Sequence, residues 1–125
     1  NATVVIENNT VSYNSGTHSC LEVDGASPTT ISNNIFSHNN CSYGTILLSS
    51  VLDKTISNNI IHANRASSQG AGGINVGHNN VGSYGMGHGG TALISGNTIT
   101  DNIGSGGFGG GLNLYYGAST YKRCN

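Results

Sequence analysis

Charge is scarce in this chain. Asp, Glu, Lys and Arg together make up 7% of the 125 residues, and the net charge is −1. A nucleic-acid partner needs a basic face, so that class is excluded. Nor is there an acidic or basic tail: two of the four basic residues, Lys122 and Arg123, sit near the C-terminus, and the others are isolated. No apolar run approaches the length of a membrane span, and no signal peptide is visible. No stretch holds a helical apolar stripe over three turns, and the 20 glycines, with abundant Asn, Ser and Thr, are weak helix formers. The length admits one domain, 1–125.

What is present is a repeat. Four copies of one pattern read Ile6-Glu-Asn-Asn-Thr-Val-Ser-Tyr-Asn14, Ile31-Ser-Asn-Asn-Ile-Phe-Ser-His-Asn39, Ile56-Ser-Asn-Asn-Ile-Ile-His-Ala-Asn64 and Ile94-Ser-Gly-Asn-Thr-Ile-Thr-Asp-Asn102. The first two intervals are 25 residues and the third is 38, the same unit with an insertion. A period of this size is the signature of a solenoid or array. Downstream of each copy comes a short alternating segment: Cys20-Leu-Glu-Val23, Thr45-Ile-Leu-Leu48, Gly73-Ile-Asn-Val76 and Gly111-Leu-Asn-Leu114. Period-two alternation marks strands, so one unit reads as three short strands separated by turns. Such strands become stable when the same strand of the next coil pairs beside them, about 4.8 Å away.

The expected fold is therefore all-β, a solenoid of about four to five coils (approximately 3–27, 28–53, 54–90 and 91–125). Ile6, Ile31, Ile56 and Ile94 form one interior column. Val11, Phe36, Ile61 and Ile99 form a second, and Leu21, Ile46, Ile74 and Leu112 a third. Two columns of asparagine accompany them: Asn9, Asn34, Asn59 and Asn97, then Asn14, Asn39, Asn64 and Asn102. Asn tolerates the left-handed backbone of a sharp turn, and its amide can donate to and accept from its counterpart one coil away. These eight are expected as turn ladders. Glu7, Ser32, Ser57 and Ser95 are expected to face outward, as are Glu22, Leu47, Asn75 and Asn113.

The Ile-x-x-Asn-x-Ile-x-x-Asn core, in its four copies from about Thr3 to Leu114, resembles the right-handed parallel β-helix repeat of the pectate-lyase-like superfamily in its broad sense. Gly72-Gly73-Ile74, Gly110-Gly111-Leu112 and Phe36-Ser37-His38-Asn39 are similar to repeats of polymorphic outer-membrane-type adhesins, though only one true Phe-x-x-Asn is present. The resemblance implies a right-handed parallel β-helix. It does not imply one activity, because that fold hosts lyases, hydrolases, phage spikes and adhesins. The lyases use an Arg base with calcium-binding acids, and the hydrolases use clustered Asp. Here Glu7, Glu22, Asp24, Asp53 and Asp101 are scattered across columns, and Arg65 has no acidic neighbour in its own. No catalytic pattern carries over, and no enzyme, metal or cofactor site is expected. His38 and His62 are one residue out of phase, and His18, His78 and His88 fall in loops.

Solenoid ends ordinarily carry polar caps, and none is visible here. The ends are expected either to continue into further coils of a longer chain or to be covered by other copies stacked end to end. From Leu114 through the C-terminus to Ile6 of a second copy is 17 residues, against 18 from Val76 to Ile94. Candidate assembly contacts are Tyr84 and Met86, in the Gly-rich loop 77–90, and Tyr115, Tyr116 and Tyr121. Three cysteines, Cys20, Cys41 and Cys124, leave one for an intermolecular bridge or a free thiol. A Cys20–Cys41 bond needs a bent loop, since the two are about four residues apart in phase. Cys124 is the natural candidate to cross to a neighbour. Sequons place candidate N-glycans on Asn1, Asn8 and Asn40. The expected role is a structural, extracellular or cell-surface rod, fibre or adhesin segment. The alternative is a carbohydrate-binding or polysaccharide-processing β-helix whose active residues lie outside this segment.

Overall fold

Two-residue corners organise the backbone. The first residue of each corner adopts a left-handed conformation and the second is an asparagine. At corner one, Asn8, Asn33, Asn58 and Gly96 have φ of 58°, 57°, 56° and 64°. At corner two, Tyr13, His38, Ala63 and Asp101 have φ of 59°, 55°, 53° and 55°. The ladder asparagines are therefore not the left-handed residues that the sequence reading made them. They follow the left-handed residue. The Asn-Asn pair at corner one divides the work, one side chain tolerating the turn and the next bonding across repeats.

The computed structural model describes residues 2–24, 27–49, 52–77 and 91–114. The first repeat contributes β1 (Val4–Glu7), β2 (Thr10–Ser12), β3 (Ser15–Gly16) and β4 (Leu21–Val23). The second contributes β5 (Thr29–Ser32), β6 (Ile35–Ser37), β7 (Asn40–Cys41) and β8 (Ile46–Leu48). The third has β9 (Lys54–Ser57), β10 (Ile60–His62), β11 (Arg65–Ala66) and β12 (Ile74–Val76). The fourth has β13 (Ala92–Ser95), β14 (Thr98–Thr100) and β15 (Leu112–Leu114).

Every named strand pairing is parallel, and each joins equivalent strands of successive repeats. Four sheets result, in the orders β1-β5-β9-β13, β2-β6-β10-β14, β3-β7-β11 and β4-β8-β12-β15. The expected three strands per unit become four. The extra one is the two-residue segment after corner two, too short to show alternation. In the fourth repeat it is reduced to a parallel bridge between Arg65 and Ile103.

Register follows the sequence columns. Ile6 aligns with Ile31, Ile56 and Ile94 in the first sheet. Val11, Phe36, Ile61 and Ile99 align in the second, and Leu21, Ile46, Ile74 and Leu112 in the last. The middle members Ile31, Phe36, Ile46, Ile56, Ile61 and Ile74 are all 0% exposed. Full burial of each such side chain contributes about 1.5–3 kcal/mol. The end members Ile6, Val11, Leu21, Ile99 and Leu112 are only partly buried. The Gly-Gly pairs have a steric cause: a Cβ on Gly73 would collide with the carbonyl oxygen of Gly111, and one on Gly110 with that of Asn102.

The Glu22, Leu47, Asn75 and Asn113 column is exposed at Glu22, as alternation predicts, but not in its middle members. Leu47 and Asn75 are buried. The Asn75 carboxamide accepts from the Ala71 backbone N–H at 2.8 Å and donates to the carbonyls of Tyr43 and Ala71, both at 2.9 Å. It holds two loop segments over the sheet, and no strand periodicity reports that cover.

Candidate functional site

The asparagine ladders are the most regular polar feature. Within each, the backbone N–H and the side-chain amide of one asparagine both donate to the carboxamide oxygen of the next. Asn34 donates to Asn59 Oδ1 from N at 2.9 Å and from Nδ2 at 3.1 Å. Asn39 does the same to Asn64 Oδ1, at 3.0 and 2.9 Å. The amide also reaches back, from Asn34 Nδ2 to the Ile6 carbonyl and from Asn39 Nδ2 to the Val11 carbonyl, each 2.9 Å. Asn34, Asn39, Asn59 and Asn64 are each 1% exposed. At that burial an unmet polar group costs about 1–3 kcal/mol, so the ladder is what permits closed polar corners around an apolar interior.

The ladder has a direction. In every rung from Asn9 to Asn102 the asparagine of one repeat donates to the carboxamide oxygen of the next, while the side-chain amides also donate back to a backbone carbonyl of the preceding repeat. Consequently the two ends differ. Among the described residues, the carboxamide oxygens of Asn9 and Asn14 receive no hydrogen bond, and the backbone N–H groups of Asn97 and Asn102 donate none.

Cys20 and Cys41 are disulfide-bonded, with Cα atoms 5.9 Å apart. The two sit on opposite sides of the corner between the two-residue strand and the last strand of the unit. Residues four apart in phase converge there because the chain turns, so the expected bent loop is the corner itself. Cys41 is buried. His18 Nδ1 lies against a Glu22 carboxylate oxygen, and its ring stands edge-on to Tyr43.

Of the sequon asparagines, Asn8 and Asn40 are both solvent-exposed, Asn8 as the left-handed residue of corner one and Asn40 at the start of β7. Asn1, Cys124, Tyr84, Met86, Tyr115, Tyr116 and Tyr121 lie outside the described residues.

Corner two carries an exposed ring row. Tyr13, 78% exposed, stacks on His38 with centroids 4.9 Å apart, and His38 meets the edge of His62 at 5.7 Å. His62 Nδ1 lies 3.0 Å from Thr100 Oγ1 and 3.3 Å from an Asp101 carboxylate oxygen. One residue of phase therefore does not keep His38 and His62 apart. Among the described residues, however, no group of three or more His, Cys, Asp or Glu side chains is placed to hold a metal ion. The acids occupy separate places: Glu7 accepts from Ser32 Oγ at 3.1 Å, Asp24 accepts from Ser49 Oγ at 2.9 Å, and Asp53 accepts from the Thr91 N–H at 2.6 Å.

Lys54 is the residue the sequence reading passed over. It takes the interior position held by Val4, Thr29 and Ala92 in the other repeats. It is 5% exposed, and its ammonium donates to the Leu52 carbonyl at 2.6 Å. Burial pulls its pKa below the usual lysine value, and the neighbouring Asp53 carboxylate partly opposes that shift. The signal was a charged residue at an interior register position.

Among the described residues, no helix is long and apolar enough to cross a membrane. Comparison with protein-family models, with curated proteins and with solved structures finds no match for the chain.

Proposed function

We propose that this chain is a structural protein, a protomer or segment of an extracellular filament, fibre or cell-surface adhesin built as a right-handed parallel β-helix of about four coils. The observation that carries this reading is that the edges of the sheets fall together. Among the described residues, the three sheets that run through every repeat all begin on the first repeat and end on the fourth. A rod extended along its axis continues all of these edges and all three apolar columns at once. Free edges are a template for further pairing, and repeat arrays gain stability from nearest-neighbour contacts. The role is geometric: strands pair along the axis, aliphatic columns fill the interior, and asparagine ladders fix the corners.

An oxidising, extracellular setting is supported by the Cys20–Cys41 disulfide. Exposed sequon asparagines at Asn8 and Asn40 suit a glycosylated surface. Low charge suits a surface that assembles rather than repels. The test is electron microscopy of native material with a non-reducing gel of the same sample. Thin rods or fibres with coils spaced about 4.8 Å along the axis are expected. Compact particles that bind and turn over a polysaccharide would overturn the structural role.

A further inference from the structure

We propose that the two ends of this chain are one matched, polar interface: the fourth repeat of one copy docks head to tail on the first repeat of a second copy, joined through both asparagine ladders. This rests on the structural reading above and adds to it the partner, the orientation and the residues that select it.

Three observations converge. First, the ladder bonds all run one way, from N–H donors on one repeat to a carboxamide oxygen on the next. The fourth repeat thus ends in the donors of Asn97 and Asn102, while the first begins with the acceptors of Asn9 and Asn14. In these rungs, N–H meets carboxamide oxygen when the fourth repeat faces the first. Two first repeats would set the rung oxygens of Asn9 and Asn14 against each other, and two fourth repeats the rung N–H groups of Asn97 and Asn102.

Second, the apolar columns end in phase. Ile94, Ile99 and Leu112 close the columns that Ile6, Val11 and Leu21 open. The end members other than Ile94 are only partly buried, whereas the middle members are sealed. A second copy placed as the next repeat lays Val11 on Ile99 and Leu21 on Leu112.

Third, the outward polar columns match as well. Inside the chain, Glu7 accepts from Ser32, the residue of its own column one repeat on. Across the contact, Ser95 lies in that same column on the repeat before Glu7 of the second copy, the reverse of the order inside the chain, and its hydroxyl faces that carboxylate from the other side. Ser12 pairs with Ser37 at 2.8 Å within the chain, and Thr100 would present a hydroxyl to Ser12 of the second copy. No like charges oppose each other in these columns. A head-to-tail contact does not close, so its product is a filament.

The test is a complementation between two blocked copies, with the disulfide kept intact. Val11→Lys places a charge on the first-repeat end only, and Ile99→Lys on the fourth-repeat end only. Sedimentation should find each variant monomeric alone. An equimolar mixture should form a one-to-one dimer, because each variant keeps the end that the other lacks. Circular dichroism checks that both are folded. Should either fail to fold, Ser95→Glu, a change at the strand surface, should weaken wild-type association at least tenfold by opposing Glu7, and adding Glu7→Lys should restore it. Either lysine variant dimerising by itself would overturn the polarity. Wild-type chains that assemble while neither lysine variant nor Ser95→Glu weakens assembly would overturn the end contact and leave a structural, laterally associated protein. Wild-type chains that stay monomeric, with native material found to be one longer chain of added coils, would overturn the second copy as partner and leave the rod reading standing.

Discussion

Replacing Asn59 by alanine isolates what one ladder position contributes. Its carboxamide oxygen accepts from Asn34 N and Nδ2, and its own Nδ2 donates to the Ile31 carbonyl and to Asn97 Oδ1. Asn59→Ala leaves the Asn34 N–H without a partner and removes the amide that caps the Ile31 carbonyl. Asn34 and Ile31 are both buried, so water does not replace the lost bonds. At about 1–3 kcal/mol for each orphaned group, the loss is roughly 2–6 kcal/mol, a large share of the stability of a domain this size. Asn9→Ala is the matched control. Asn9 is exposed, its oxygen accepts nothing among the described residues, and its amide meets only the Glu7 carbonyl and Asn34 Oδ1. Its loss should cost about 0.5–1.5 kcal/mol. Urea unfolding of monomeric protein measures both, and amide exchange adds a local readout, since the Asn34 N–H should lose its protection in Asn59→Ala alone. Equal costs for the two variants, or an Asn34 amide that stays protected, would refute the ladder as a source of stability.

Other consequences can be checked on the same material. Reducing the Cys20–Cys41 bond, which closes a separation of 21 residues, should lower stability by about 3 kcal/mol, read as a shift in the urea midpoint with and without reductant. Ala63 has φ of 53°. Relief of a left-handed cost of about 1–2 kcal/mol, less a glycine entropy cost of about 0.5–1 kcal/mol, makes Ala63→Gly more stable by up to roughly 1.5 kcal/mol in the same assay. A loss of stability would contradict the corner geometry. Lys54 has its folded-state pKa held below 10.5. As pH falls through that value the unfolded chain takes up the proton first, so this residue's contribution to stability declines down to the folded pKa and is level below it. Lys54→Met should be more stable than the parent at pH 7, and the difference should shrink as pH rises toward 10.5. A difference independent of pH would show that the amine is not buried in its charged form.

The columns were legible because a repeat writes each interior position four times. Ile31, Phe36 and Ile46 could be placed in the core by alignment alone, and the structure puts them there at 0% exposure. The same logic exposed the ladder positions, but not their backbone. Asn8 and Asn9 are identical letters, and only the folded backbone distinguishes the first, which turns the chain, from the second, which bonds across it. Corner geometry also hid the disulfide, since phase counts residues along the chain whereas Cys20 and Cys41 meet across a bend. Leu47 and Asn75 were misplaced because alternation assumes one wet face, and here segments near Tyr43 and Ala71 lie over it. The ladder's polarity was beyond the sequence, because an asparagine reads the same as donor and as acceptor. Lys54 was legible in principle, since it lies two residues before Ile56 as Val4, Thr29 and Ala92 lie before Ile6, Ile31 and Ile94.

Amide hydrogen exchange at the two terminal rungs tests the end-to-end account most directly. In assembled protein, the backbone N–H groups of Asn97 and Asn102 should exchange as slowly as those of Asn59 and Asn64, because each would then donate to the carboxamide oxygen of Asn9 or Asn14 in the next copy. In the Ile99→Lys monomer they should exchange fast while Asn59 and Asn64 stay protected. Equally fast exchange at Asn97 and Asn102 in assembled and monomeric protein would contradict a ladder that continues from one copy into the next.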